Sequence, residues 1–245
     1  MYHAPFEFMT PPHEIIQAAL KEGRKALLEH EAKELARSVG IIVPKFEVVG
    51  PNDEQALLGA AEKLGYPLAV KALSPDILHK TEAGAVMLDI KNKTALVLAV
   101  KQITINISHR SPNAVVRYFL LEKMMPPGPE LLIGGLRDEQ FGPAIAFGLG
   151  GIWTETLKDA VFGILPLSRD EMIDMIDETR AGLFFKASRG AQPLDREPML
   201  SVMQAVSRLL TEHQDIREID LNPVRVYARG AAALDVRILL SVPSP

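Results

Sequence analysis

The stretch "YPLAVKALSPDILHKTEAGAVMLDI" (66–90) sets a lysine inside an apolar run, then a polar loop with a histidine, then a second apolar run. "LAVKAL" (68–73) and "AVMLDI" (85–90) read as strands, with Pro75 and Gly84 punctuating the segment between them. Two readings of His79 stay open on these residues alone: it decorates a solvated turn, or it is a reactive imidazole carried on a loop. Lys71 raises the matching question. An ammonium within an apolar strand needs an anion beside it or a route to the surface.

Upstream, residues 1–12 form a Pro-rich, aperiodic arm. From Glu14 to Val39 apolar residues recur at three- and four-residue steps, which predicts one amphipathic helix, or two interrupted near Gly23, closed by Gly40 and Pro44. "KFEVV" (45–49) reads as a strand. "NDEQALLGAAEKLG" reads as a helix capped by Asn52 or Asp53 and stopped by Gly65. Downstream, "KTALVLAVKQITINI" is long enough to prefer helix over strand. "AVVRYFLLEKM", "ELLIGGL" and "AIAFGL" follow as strands. A Ser168–Glu171 capping box opens one helix, and another spans roughly 198–213. "REIDLNPVRVYA" and "AALDVRIL" close the chain as a hairpin turning at Arg229-Gly230. Strict βαβ alternation is missing, so the expected class is α+β in two lobes rather than a doubly wound parallel sheet. The expected divisions are 1–43, 44–116 and 117–245.

The 245 residues are 47% apolar and 24% charged, a soluble globular balance with room for a sizeable core. With 27 basic and 31 acidic residues the net charge is −4, which gives no sign of a general nucleic-acid binder. No apolar run is long enough for a membrane-spanning helix, and no secretory leader is expected at the N-terminus. The absence of cysteine excludes disulfides, thiolate nucleophiles and Cys-ligated zinc, and fits a cytoplasmic location.

Three further clusters bear on chemistry. Glu122 ends a strand that turns through Pro126-Pro127-Gly128, which is expected to leave backbone groups near Lys123–Met125 unpaired. An adenine edge can use such groups, with Glu122 accepting from the exocyclic amine; a plain hairpin with surface glutamates, Glu130 included, fits equally well. Across the C-terminal hairpin, Asp220, Asn222 and Asp235 can converge, with Asp220 and Asn222 on one strand face. Oxygen-only ligands suit Mg²⁺, although acidic pairs are also common on exposed hairpins. Finally, Gly148, Gly150 and Gly151 follow a strand, and "ASRGAQPLD" holds Arg189-Gly190. Neither has dinucleotide-fingerprint or Walker spacing; a Gly-rich turn can still hold an anion.

Taken in order, a strand lysine, a loop histidine, a strand-end glutamate with a hinge, and a C-terminal Asp/Asn set resemble the ATP-grasp layout. Through "EHEAKELARSVGIIVP", "YPLAVKALSPDILHKTEAGAV", "GPELLIGGLRDEQFGP", "FGLGGI", "LKD", "SRG" and "EIDLNPVRV", the chain resembles the β subunits of ADP-forming (NDP-forming) acyl-CoA synthetases. It is more distantly similar to the front half of the succinyl-CoA synthetase β subunit. Where relatives read His-Lys-Ser-Asp-Val-Gly-Gly-Val, this chain has Thr81, Glu82, Ala83 and Ala85.

The resemblance implies two lobes clamping a nucleotide, with 44–116 carrying a phosphohistidine loop and 117–245 the hinge and Mg²⁺ site. It implies ATP/ADP and Mg²⁺ as cofactors and a CoA-binding α subunit as partner, in an α2β2 assembly. His79 would carry a phosphoryl group on a swinging loop and Asp220 would orient the partner's histidine. Lys71 would hold nucleotide phosphates, Glu122 with Lys123–Met125 would read adenine, and Glu130 the ribose. Asn222 and Asp235 would hold Mg²⁺. Two alternatives are weighed beside it: a regulatory nucleotide-binding module like that of acyl-CoA-synthetase-like protein acetyltransferases, and a carboxylate–amine ligase. Neither has a use for His79.

Overall fold

A computed structural model describes residues 10–77, 79–151, 159–187 and 193–241. The chain separates into two compact units, residues 44–126 and residues 10–43 with 127–241. The expected boundary between 116 and 117 therefore moves to Pro126. Its physical reason is strand pairing: the strand after residue 117 completes the sheet of the smaller unit.

That smaller unit holds an antiparallel four-stranded sheet in the order β1-β4-β2-β3, from β1 (Phe46–Val49), β2 (Leu68–Leu73), β3 (Val86–Ile90) and β4 (Tyr118–Lys123). Because β2 is central, all six of its residues are buried, which explains why it is apolar at every position but Lys71. Helix α3 (Glu54–Leu64) begins where Asp53 accepts the Ala56 N–H at 2.8 Å and ends at Gly65 with φ +72°. Helix α4 (Lys93–Arg110) is capped by Asn92. It buries Leu96, Ala99, Ile103 and Ile107 on one stripe against the sheet while Leu98 and Ile105 stay exposed, so its apolar pattern is poorly amphipathic.

In the larger unit, helices α1 (Pro12–Lys21) and α2 (Glu29–Ser38) realise the two-helix option, separated by a turn through Gly23 at φ +70°. The sheet runs β10-β8-β5-β6-β7, all antiparallel, with β9 also pairing β8. Its strands are β5 (Glu130–Asp138), β6 (Gly142–Leu149), β7 (Ala160–Ile164), β8 (Ile216–Val226), β9 (Ala231–Ala233) and β10 (Val236–Leu240). The expected last strand is thus broken in two at Leu234-Asp235, both pieces folding back on β8. Strand β7, unassigned from sequence, adds to β6 as an edge. Helix α5 (Arg169–Glu178) starts at the predicted Ser168–Glu171 box, and α6 (Glu197–Glu212) packs on β5, β6 and β8. The approach is close: a Cβ on Gly135 would lie 2.7 Å from Leu210. Two antiparallel sheets with helices on them satisfy the α+β expectation.

The arm residues 1–9, and Arg189 and Gly190, lie outside the described residues. Among those described, no helix is long and apolar enough to cross a membrane.

Candidate functional site

The candidate residues fall in two sets, one on each unit. On the smaller unit, β2 and β4 pair with Lys71 opposite Leu120, so Glu122, two residues on, shares the face of Lys71 as its diagonal neighbour. Both side chains are buried, with Lys71 Nζ 3.4 Å from Glu122 Oε2. This answers the lysine question: the ammonium stays in the strand because a carboxylate from the adjacent strand accompanies it.

The strand end is not left open as expected. The Lys123 N–H donates to Lys45 O at 2.9 Å and the Met124 N–H to Pro67 O at 3.2 Å. Lys123 Nζ also donates to Gly65 O and Tyr66 O at 3.0 and 2.7 Å, which fastens the turn before β2. The sequence shows where β4 stops but not that the 65–67 turn lies alongside to receive these donors. Met125 follows in the segment leading out of the unit.

His79 is exposed. Behind it the loop is tightly wound, with Ala83 N–H bonding His79 O, Gly84 N–H bonding Thr81 O, and Ala85 N–H bonding Lys80 O. Ile77, Ala83 and Ala85 are buried in the unit's core. From α4, Asn106 donates to Gly84 O at 3.0 Å and Arg110 to Glu82 O at 2.8 Å. The imidazole therefore sits in solvent on a loop whose return limb is fastened to a helix.

On the larger unit, Glu130 opens β5 opposite Arg225 of β8, and Arg225 Nη2 binds its carboxylate. The Gly148–Gly151 turn packs hard on this point. Cβ atoms would collide with the Asp159 carbonyl from Gly148, the Leu131 carbonyl from Gly150 and the Glu130 carboxylate from Gly151. The Gly150 N–H donates to Glu130 O and the Gly151 N–H to Asn222 Oδ1, both at 2.9 Å. These glycines thus serve close approach, and two of their N–H groups are bonded within the chain. Asp159 accepts the Arg180 N–H at the start of the 3₁₀ turn 180–185, which Thr179 caps.

Along β8, Ile219 and Leu221 are buried while Glu218, Asp220 and Asn222 share the other, half-open face. Arg237, opposite Asp220 in register, donates to Asp220 at 3.2 Å and Glu218 at 2.8 Å. Burial raises the Asp220 pKa above the ordinary carboxylate value; Arg237 opposes this, whereas Asp235 and Glu218 add to it. Asp235 is therefore close enough to Asp220 for their charges to interact. It precedes Val236, whose partner is Leu221, so the register carries it toward Asn222. Asp220 and Asn222 thus share one face of β8, and the hairpin register brings Asp235 alongside that strand. Among the described residues, no three His, Asp or Glu side chains form a group that could hold a metal by themselves.

Sequence reading missed Arg225, Arg237 and Gly151 as partners of site residues. Hairpin register would have found Arg237, but the shift in β5–β8 pairing between Leu131 and Ile133 hides the Arg225–Glu130 match.

The ATP-grasp domain model matches residues 18–240. The subunit beta of acetate–CoA ligase (ADP-forming) II from Pyrococcus furiosus is 41% identical over 229 residues, covering 92% of this chain and 96% of the relative. The structure of Ca. Korarchaeum cryptofilum dinucleotide forming acetyl-coenzyme A synthetase 1 with coenzyme A, Ca-AMPCP and HgCl+ superposes with a TM-score of 0.88. Identity there is 35%, covering 94% of this chain and 99% of that one. A second structure of that synthetase holds coenzyme A and Mg-AMPPCP with its phosphohistidine segment pointing towards the nucleotide binding site. It matches at a TM-score of 0.79 and 34% identity, covering 94% of this chain and all of that one. The two-lobed α+β fold, the site residues in their order and these similarities agree: the chain belongs to the ATP-grasp family, among the β subunits of ADP-forming acyl-CoA synthetases.

Proposed function

We propose that this β subunit carries the phosphotransfer half of the reaction acyl-CoA + ADP + phosphate = carboxylic acid + CoA + ATP, with His79 as carrier. The phosphoryl group moves from a phosphohistidine on a CoA-binding α subunit to the His79 imidazole, one P–N bond breaking as another forms. The terminal oxygen of ADP then takes it, breaking the second P–N bond. A neutral imidazole suits this because it is nucleophilic near pH 7 and its P–N bond retains enough energy to phosphorylate ADP. In-line transfer needs reacting atoms within about 3–3.5 Å, so two separate donor and acceptor sites require a moving carrier or a moving substrate, and a loop histidine suits the first.

The observation that carries this reading is the exposed His79 on a loop directly following the Lys71 strand. It is supported by the phosphohistidine segment in the related synthetase structure. Lys71 would meet the nucleotide phosphates, Glu122 and the Lys123–Met125 backbone the adenine, and Glu130, oriented by Arg225, the ribose. With the adjoining N–H groups of Lys123 and Met124 already bonded, adenine recognition would rest on the carbonyls of this segment and on Glu122. Asp220, gripped by Arg237, would orient the partner's histidine. Asn222 and Asp235 offer an amide and a carboxylate oxygen, a donor set that suits Mg²⁺. When bound, that ion would offset charge on the transferring group. An α2β2 assembly and a cytoplasmic location belong to the same proposal.

The test is His79→Asn in complex with the α subunit. ATP formation should be lost while ADP still binds, and acid-labile label from ATP should vanish from the chain. Undiminished turnover removes His79 as carrier.

A further inference from the structure

Lys33, in the middle of α2, is 0% exposed and the largest fully buried side chain among the described residues. Its ammonium lies 3.1 Å from buried Glu29, one turn earlier, and donates to Leu234 O at 2.9 Å. The Leu234 N–H in turn donates to Pro223 O at 2.9 Å. Leu234 is therefore fixed at both ends: its N–H to the residue after Asn222, and its C=O, part of the peptide bond leading into Asp235, to Lys33. This point is the break between β9 and β10, outside both strands.

Anchoring α2 on the sheet does not require a buried charge. Ala32, Leu35 and Ala36 of the same helix already provide a buried apolar face. What an ammonium adds, despite the cost of desolvating it, is a directed donor to one carbonyl. We propose that Lys33 is a positioning residue for the metal site: by holding the 234–235 peptide it sets the Asp235 carboxylate beside Asn222. The inference rests on reading those two residues as ligands. Second-neighbour groups of this kind typically change metal affinity 10- to 100-fold when removed.

The test measures Mn²⁺ binding by electron paramagnetic resonance, with ADP present, together with thermal unfolding, on the full chain. Glu29→Gln combined with Lys33→Met removes the pair without stranding a buried carboxylate. Its Mn²⁺ dissociation constant should rise about tenfold. Lys33→Arg keeps the charge but displaces the donor, and should give a smaller rise of about threefold. Asp235→Asn is the reference, and should weaken Mn²⁺ at least as much. Parent-like Mn²⁺ binding in whichever Lys33 variant folds, with Asp235→Asn impaired, overturns the positioning role and leaves a purely structural lysine. Parent-like binding in Asp235→Asn means that the ligand assignment itself is wrong, and the proposal falls with it.

Discussion

Two lysines among the described residues are buried, and each keeps a glutamate beside it, yet they are built for different work. Lys33 pairs with Glu29 along one helix and directs its ammonium at a backbone carbonyl. Lys71 pairs with Glu122 across two strands, at the longer distance of 3.4 Å. The first arrangement is closed on the protein's own backbone. In the second, both partners are residues proposed to meet the nucleotide, so the pair stabilises each charge until a phosphate and an adenine amine share them. A buried ion pair alone does not mark a binding site; what the ammonium is directed at does.

The largest effect expected from this comparison is on nucleotide-linked stability. Removing either lysine takes the cationic partner from a buried carboxylate, so Lys33→Met and Lys71→Met should each lose about 3–5 kcal/mol. ADP at a hundred times its dissociation constant should return about 2.7 kcal/mol to the parent. At saturating Mg²⁺ the Lys33 variant should keep most of that gain and the Lys71 variant almost none. Urea unfolding with and without ADP reads the difference. A full ADP-linked gain in Lys71→Met would remove that residue from the nucleotide site and erase the contrast.

A smaller effect is expected at Gly151, whose N–H holds Asn222 much as Lys33 holds the peptide of Asp235. Its φ of +62° disfavours any side chain, and a Cβ would strike the Glu130 carboxylate. Gly151→Ala should cost about 1–3 kcal/mol in backbone strain. It should also weaken ADP binding several-fold, because it displaces Glu130 and Asn222, the proposed ribose contact and metal ligand, together. Calorimetry showing parent-like ADP affinity despite the stability loss would separate the turn from the site.

The comparison also shows what was legible. Lys71 stood out because a charge interrupts "LAVKAL", a run whose every residue is buried. Lys33 did not, because "EHEAKE" has the i, i+4 Glu-Lys spacing of an ordinary solvated helix face; only the packing of β10 on α2 reveals that this face is inside. Caps were readable for the same local reason: Asp53, Gly65 and Ser168 act within four residues of themselves. The 116/117 boundary and the open strand end at Lys123 were misjudged because each depends on a partner far away in the chain. The placing of Asp235 across the hairpin from the Asp220–Asn222 strand was legible because a hairpin turns long range into short.

The smallest effect sets the lower end of the scale, at a carboxylate in solvent. Glu171 accepts the Ser168 N–H and hydroxyl at 2.7 Å each, and these bonds hold its pKa below the ordinary value near 4.5. A depressed folded-state pKa contributes stability that is complete above the unfolded value and disappears as pH falls through the folded one. The parent should therefore exceed Glu171→Gln in urea midpoint at pH 7, and the gap should narrow progressively below about pH 4.5. Because the group is exposed, the gap should stay well under that of either lysine variant. A constant gap from pH 7 to pH 3 would mean that the charge contributes nothing and that the capping hydrogen bonds act equally well from a neutral side chain. Burial, rather than hydrogen-bond count, would still be what separates this carboxylate from Glu29 and Glu122.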